Sequence, residues 1–136
     1  MSAAFSILDT EITDVLTPTD DVVAGRSLAY APSFQGNIRA RYEWSAFGNW
    51  TAHVQPQVTY SASSATDIIE INRITLDSWT TYGLSAGLSD DTWSLEIFGD
   101  NLTDERAEIS GNFVYDRERI TVNRPLTVGA RVSFSY

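Results

Sequence analysis

The closing stretch R-P-L-T-V-G-A-R-V-S-F-S-Y, residues 124–136, decides how the rest of the chain is read. From Leu126 its even positions are Leu126, Val128, Ala130, Val132, Phe134 and Tyr136, and its odd positions are Thr127, Gly129, Arg131, Ser133 and Ser135. Side chains of a strand alternate between two faces, so this segment predicts a strand with one apolar face and one polar or small face. The same pattern recurs upstream. Ser33–Trp44 sets Phe34, Ile38, Ala40, Tyr42 and Trp44 against Gln35, Asn37, Arg39, Arg41 and Glu43. Asn49–Ser61 sets Trp50, Ala52, Val54, Val58 and Tyr60 against Thr51, His53, Gln55, Gln57 and Thr59. Pro56 removes one donor from that strand's ladder, which predicts an edge, a bulge or a local gap.

Two further strands follow. Ser78–Leu88 carries Tyr82, Leu84, Ala86 and Leu88 on one side, and the next strand carries Trp93, Leu95, Ile97 and Gly99. Phe98 breaks the second pattern by placing an aromatic on the polar side. A short alternation of Ala3, Phe5 and Ile7 marks Met1–Leu8 as a first strand. Six strands and no helix are expected.

Composition narrows the class. A chain of 136 residues with 43% hydrophobic and 12% aromatic residues suits one folded unit and excludes disorder. The longest apolar run, Leu28–Ala31, is far below the roughly 20 residues of a membrane-crossing helix. Met1–Leu8 has neither the charged start nor the apolar core of a secretory signal. With no cysteine, disulfides and thiolate metal sites are excluded. Nine basic residues against eighteen acids give a net charge of −9, which argues against nucleic acid as a partner.

Alternation alone also suits a half-buried strand of a soluble sandwich. Two regularities favour a transmembrane barrel. The connections Ser45–Gly48 and Ser89–Asp91 are tight, whereas Asp9–Pro32, Ala62–Asp77 and Asn101–Asn123 are long. Tight turns therefore fall at one end of the sheet and long loops at the other, as in outer-membrane barrels. Aromatics also gather near strand ends, with Tyr42, Trp44, Trp50, Trp93, Phe134 and Tyr136 at the tight-turn end and Phe34 and Tyr60 toward the other. Such rings settle at lipid–water boundaries. The expected fold is all-β, an antiparallel up-and-down transmembrane β-barrel segment of about six strands, a partial barrel.

The stretch W-S-L-E-I-F-G-D-N-L-T-D-E-R-A, residues 93–107, resembles the penultimate strand and loop of TonB-dependent outer-membrane receptors. The family motif is the N-L-x-D of Asn101, Leu102 and Asp104. Gly129, Val132, Phe134 and Tyr136 are similar to the family's closing strand and to the signal read by the outer-membrane assembly machinery. The resemblance implies that residues 1–136 are the C-terminal portion of such a barrel in the bacterial outer membrane. The plug domain and N-terminal strands would then lie outside this chain, and the TonB-type energy coupler would be reached only through them. Lipid, the other strands, the plug and the assembly machinery are the implied partners. The intact receptor would take up a scarce nutrient of the siderophore-iron, cobalamin or glycan class.

On the residues alone, Arg39, Arg41, Glu43, His53, Glu96 and Arg131 are expected to face the lumen. Ile38, Ala40, Val54, Val58, Leu84, Leu95, Ile97, Val128 and Val132 are expected to face lipid. Glu96 and Arg131, on strands that would be neighbours, should pair. A lone His53 is a poor metal site, and Asn101 and Asp104 suit turn-making. The acids of Asp9–Asp21, Asp100–Glu108 and Asp116 suit solvated loops. No nucleophile set, phosphate loop or zinc spacing is present, so neither an enzyme nor a cofactor is expected. Two rival readings are a small self-associating outer-membrane barrel and a soluble β-sandwich that binds sugars through Trp44, Trp50, Trp79 or Trp93.

Overall fold

The computed structural model describes residues 1–15, 22–115 and 117–135, with the backbone alone for residue 70. Asp20, Asp21, Asp116 and Tyr136 therefore lie outside the described residues. The strands in chain order are β1 (Ser2–Ile7), β2 (Phe34–Arg39), β3 (Tyr42–Ser45), β4 (Thr51–Ser61), β5 (Ser64–Ala65), β6 (Thr75–Leu76), β7 (Trp79–Ser89), β8 (Trp93–Asp100), β9 (Glu108–Val114), β10 (Arg117–Val122) and β11 (Thr127–Phe134). No α-helix occurs among the described residues, and one short 3₁₀ turn spans Glu70–Asn72.

The main sheet has the order β1-β2-β4-β7-β8-β11, with β3 also paired to β4, and every neighbour is antiparallel. Strands β2 and β3 are one strand interrupted at Ala40 and Arg41. Arg39 pairs with Gln57 and Tyr42 with Val54, so the register is unchanged across the break. Pro56 stands opposite the gap and has no N–H to give, although Ala40 N still donates to Pro56 O at 3.2 Å. The sheet is thus the expected six-stranded meander. It does not close, since β1 and β11 are its two edges.

Both tight connections lie at one end. In the β3–β4 turn, Ala46 N donates to Trp50 O, Trp50 N donates to Phe47 O, and Gly48 takes a φ of 56°. In the β7–β8 turn, Asp90 Oδ1 accepts from the amides of Thr92 and Trp93 at 2.8 and 2.6 Å, so its carboxylate makes the bend.

The long connections are more structured than the sequence suggested. Ala62–Asp77 contains the β5–β6 pair, and Asn101–Asn123, expected to be loop, contains the β9–β10 hairpin. These connections pack on one another. Tyr30 donates its hydroxyl to Gly111 O at 2.9 Å, and a Cβ on Gly111 would sit 3.1 Å from Thr66 and 3.4 Å from Ile74. Ala65, Ile74, Leu76 and Ala107 are buried there. That small cluster holds the largest buried apolar side chains among the described residues, because the main sheet contributes only Ala52.

The sheet is one layer. Cross-strand register arranges its apolar face in rows: Trp44–Ala52–Leu88–Leu95–Val132, Tyr42–Val54–Ala86–Ile97–Ala130, Pro56–Leu84–Gly99–Val128 and Ile38–Val58–Tyr82. Every residue expected to face lipid falls on this face, Ala40 in the gap between β2 and β3 included. No second sheet or helix covers it among the described residues: Ile38, Ile97, Val128 and Val132 are 53, 65, 73 and 63% exposed.

Candidate functional site

The opposite face is polar, and it carries the charged residues singled out in the sequence. One row runs Glu43–His53–Gly87–Glu96–Arg131 across five strands. Gly87 leaves an opening at its centre. A Cβ there would come within 2.5 Å of His53 Cε1, so the imidazole lies across the glycine and reaches the next strand but one. His53 Nε2 is 3.3 Å from Glu96 Oε2, and Arg131 Nη1 donates to Glu96 Oε1 at 2.9 Å. Glu96 therefore holds His53 on one oxygen and Arg131 on the other, and the pair expected of Glu96 and Arg131 is present. His53 is buried, whereas Arg131 is largely exposed.

The neighbouring rows extend this lattice. Arg41 Nε donates to Glu43 Oε1 at 2.6 Å on β3 and its approach. Arg39 donates to Gln57 Oε1 through Nε at 3.0 Å and Nη2 at 2.6 Å. Between the charged rows run Gln55, Ser85, Phe98 and Gly129. Phe98, the residue that broke the alternation, lies over Gly129, where a Cβ would be 2.5 Å from its ring. Arg131 caps that ring with Cζ 5.7 Å from the centroid. The sequence did not single out Gly87 as part of the site, nor the contact between Gly129 and Phe98. Their signal was a glycine on the polar side of an alternating strand, facing a bulky neighbour.

The Asn101–Leu102–Asp104 motif has a structural role. Asn101 is buried with a φ of 52°, its Nδ2 donates to Glu105 O and Arg124 O, and its Oδ1 accepts from Glu105 N, all at 2.9 Å. Asp104, also at a φ of 52°, accepts from Leu126 N at 2.9 Å. The two side chains fasten the end of β8 to the approach of β11 across the intervening hairpin. Leu102 turns back over Gly99, where a Cβ would be 2.6 Å from its Cδ2. On β11, Val132 faces Leu95, and Phe134 packs against Trp93 with centroids 4.8 Å apart and the ring planes tilted by 55°.

Chemically, the polar face is a lattice of mutually satisfied charges. Among the described residues no side-chain N or O is buried without a partner, and no three His, Asp or Glu side chains converge as metal ligands would. The lattice positions strands and presents the free faces of Arg41, Glu43 and Arg131 to whatever lies in front of them.

Fold and faces together define an all-β protein built on one main antiparallel, up-and-down sheet with two open edges, with two small two-stranded sheets in its long connections. This chain matches no protein family, no curated protein and no solved structure.

Proposed function

We propose that this chain is a section of barrel wall from a bacterial outer-membrane receptor of the TonB-dependent kind, serving nutrient uptake. The observation that carries this reading is the sorting of cross-strand rows. The apolar rows lie on one uncovered face, bounded by Trp44, Trp93 and Phe134 at the turn end and by Phe34 and Tyr60 at the loop end. Lipid is the solvent for that face, and the charged lattice behind it lines a wet lumen where a plug would sit. Six strands fall short of the eight that the smallest such barrels use, so β1 and β11 each need a neighbour. In this reading the neighbours are the receptor's other strands, and coupling to TonB belongs to the rest of that receptor.

A second reading has one observation in its favour. β1 and β11 run in opposite directions, so two copies joined edge to edge could close as an antiparallel barrel. Flotation with phospholipid vesicles followed by cross-linking tests both. Co-flotation supports a wall segment, and a discrete cross-linked dimer shifts the choice to the self-associating barrel. A chain that stays monomeric in plain buffer refutes both.

A further inference from the structure

Four tryptophans divide unequally between the faces. Trp44 and Trp93 stand on the apolar face, and Trp50 packs on Phe47 in the β3–β4 turn. Trp79 alone lies in a polar row, Ser6–Gln35–Ser61–Trp79, at the loop end of the sheet. There it borders a cleft of about 250 Å³ between the polar face and the packed loops, lined also by Gln35, Ser61, Ser64, Asp77 and Glu108.

The lining has a definite chemical character. It contains two carboxylates and no basic residue. Glu108 Oε2 accepts from Asp77 N at 3.2 Å, while the Asp77 carboxylate has no hydrogen-bond or ion-pair partner among the described residues. Gln35 and Ser61 are already joined to each other at 3.4 Å, so they form a set wall rather than searching arms. Acceptors therefore dominate, and an anionic ligand is repelled. The face of an indole carries partial negative charge and attracts positively polarised C–H edges. A ligand that suits both features shows hydroxyl donors on its rim and a flat C–H face. The volume lies just below the roughly 300 Å³ at which pockets for drug-sized ligands begin, which suits a single ring.

We propose that the Trp79 cleft is a binding site for one sugar ring, neutral or amino-substituted, stacked on Trp79 and held through its hydroxyls by Asp77 and Glu108. It rests on the barrel-wall reading for its place in the lumen beneath the outer loops, and it narrows the nutrient to a glycan.

The test is saturation-transfer NMR on the full chain in an amine-oxide detergent, which has no sugar headgroup to compete. The probes are methyl glucoside, glucosamine and glucuronate. Expected are transfer to the first two, with dissociation constants on the order of millimolar, and none to glucuronate. Trp79→Ala should weaken binding about tenfold or more, as truncating an aromatic anchor does. Asp77→Asn with Glu108→Gln should admit glucuronate, a gain that misfolding cannot produce. No transfer from any of the three, or binding indifferent to Trp79→Ala, overturns the proposal. Vesicle flotation reads the other claim separately. A chain that floats but binds no sugar loses this site alone, whereas one that binds sugar in plain buffer without floating keeps the site and loses the membrane wall.

Discussion

Arginine placed along the two faces of β4 and β8 separates a lipid-exposed sheet from a water-exposed one. From Trp50 to Tyr60 is ten residues, about 33 Å along a strand at about 3.3 Å per residue. Tilted by about 40°, that span projects to about 25 Å, the height of the apolar band of a membrane barrel. In the proposed membrane wall Val54 and Ile97, which share one row, would lie close to the midplane. Arginine there should cost about 2–4 kcal/mol, against about 0–1 kcal/mol for Trp44→Arg or Tyr60→Arg near the interfaces. The midplane cost is roughly a 30- to 700-fold loss in the folding equilibrium. Gln55→Arg, one residue away on the polar face opposite Ser85, should cost less than about 1 kcal/mol. Ile97 is the sharpest position because its side chain is 65% exposed and has little protein contact to lose. In water its replacement should stay within about 0.5 kcal/mol. Urea unfolding from vesicles, followed by tryptophan fluorescence, reads all five variants. Equal costs for Ile97→Arg and Gln55→Arg, or a flat profile with depth, refute the membrane face.

Three other outcomes follow from the lattice and the motif. Gly87→Ala should cost about 1–3 kcal/mol, because its Cβ meets both His53 and, at 2.6 Å, the backbone oxygen of Leu95. Thermal melts of Gly87→Ala with His53→Ala should show only partial rescue, and full rescue would remove the backbone from the account. Asn101→Ala should cost about 2–3 kcal/mol in urea titration through its lost buried hydrogen bonds, and Asn101→Gly about 1 kcal/mol less because the left-handed φ is free to glycine. An alanine variant no worse than glycine would contradict this. Glu96→Gln should cost less than about 1 kcal/mol, and added salt should shrink the difference, since Arg131 is 68% exposed.

Much of the sheet was legible because strands report themselves by a period of two. Residues such as Val54 and Gln55 fix their faces by parity alone; Pro56 left an edge, a bulge or a local gap open, and the fault falls in the paired strand, between β2 and β3. Asp90 and the Gly48 turn were readable for a similar reason, since their chemistry is local. The β9–β10 hairpin was not. Its Ile109, Gly111 and Phe113 alternate, but Gly111 erases the middle of the row and the acids around it read as loop. Gly111 is small because Thr66 and Ile74 come against it, a reason that lies some forty residues away. The His53–Glu96 contact was hidden likewise, because it skips a strand and exists only where Gly87 leaves space.

The distribution of burial explains why one chain makes two different demands. Its large buried aliphatics, Ile74 and Leu76, belong to the packed loops, while Ile38, Leu84, Ile97 and Val132 on the sheet remain exposed. A water-soluble domain of this length stabilises its sheet by covering one face with a second layer, and fully burying each such side chain contributes about 1.5–3 kcal/mol. Among the described residues nothing supplies that gain, and the proposed reading gives the face an apolar solvent instead. Yet the same solvent cannot hydrogen-bond the free N–H and C=O groups along β1 and β11. In the proposed reading lipid meets the face and further strands meet the edges, and a closed barrel wall would satisfy both. The loops need neither. Their small core borders the cleft beside Trp79, which in the proposed reading is where the barrel wall would open to water.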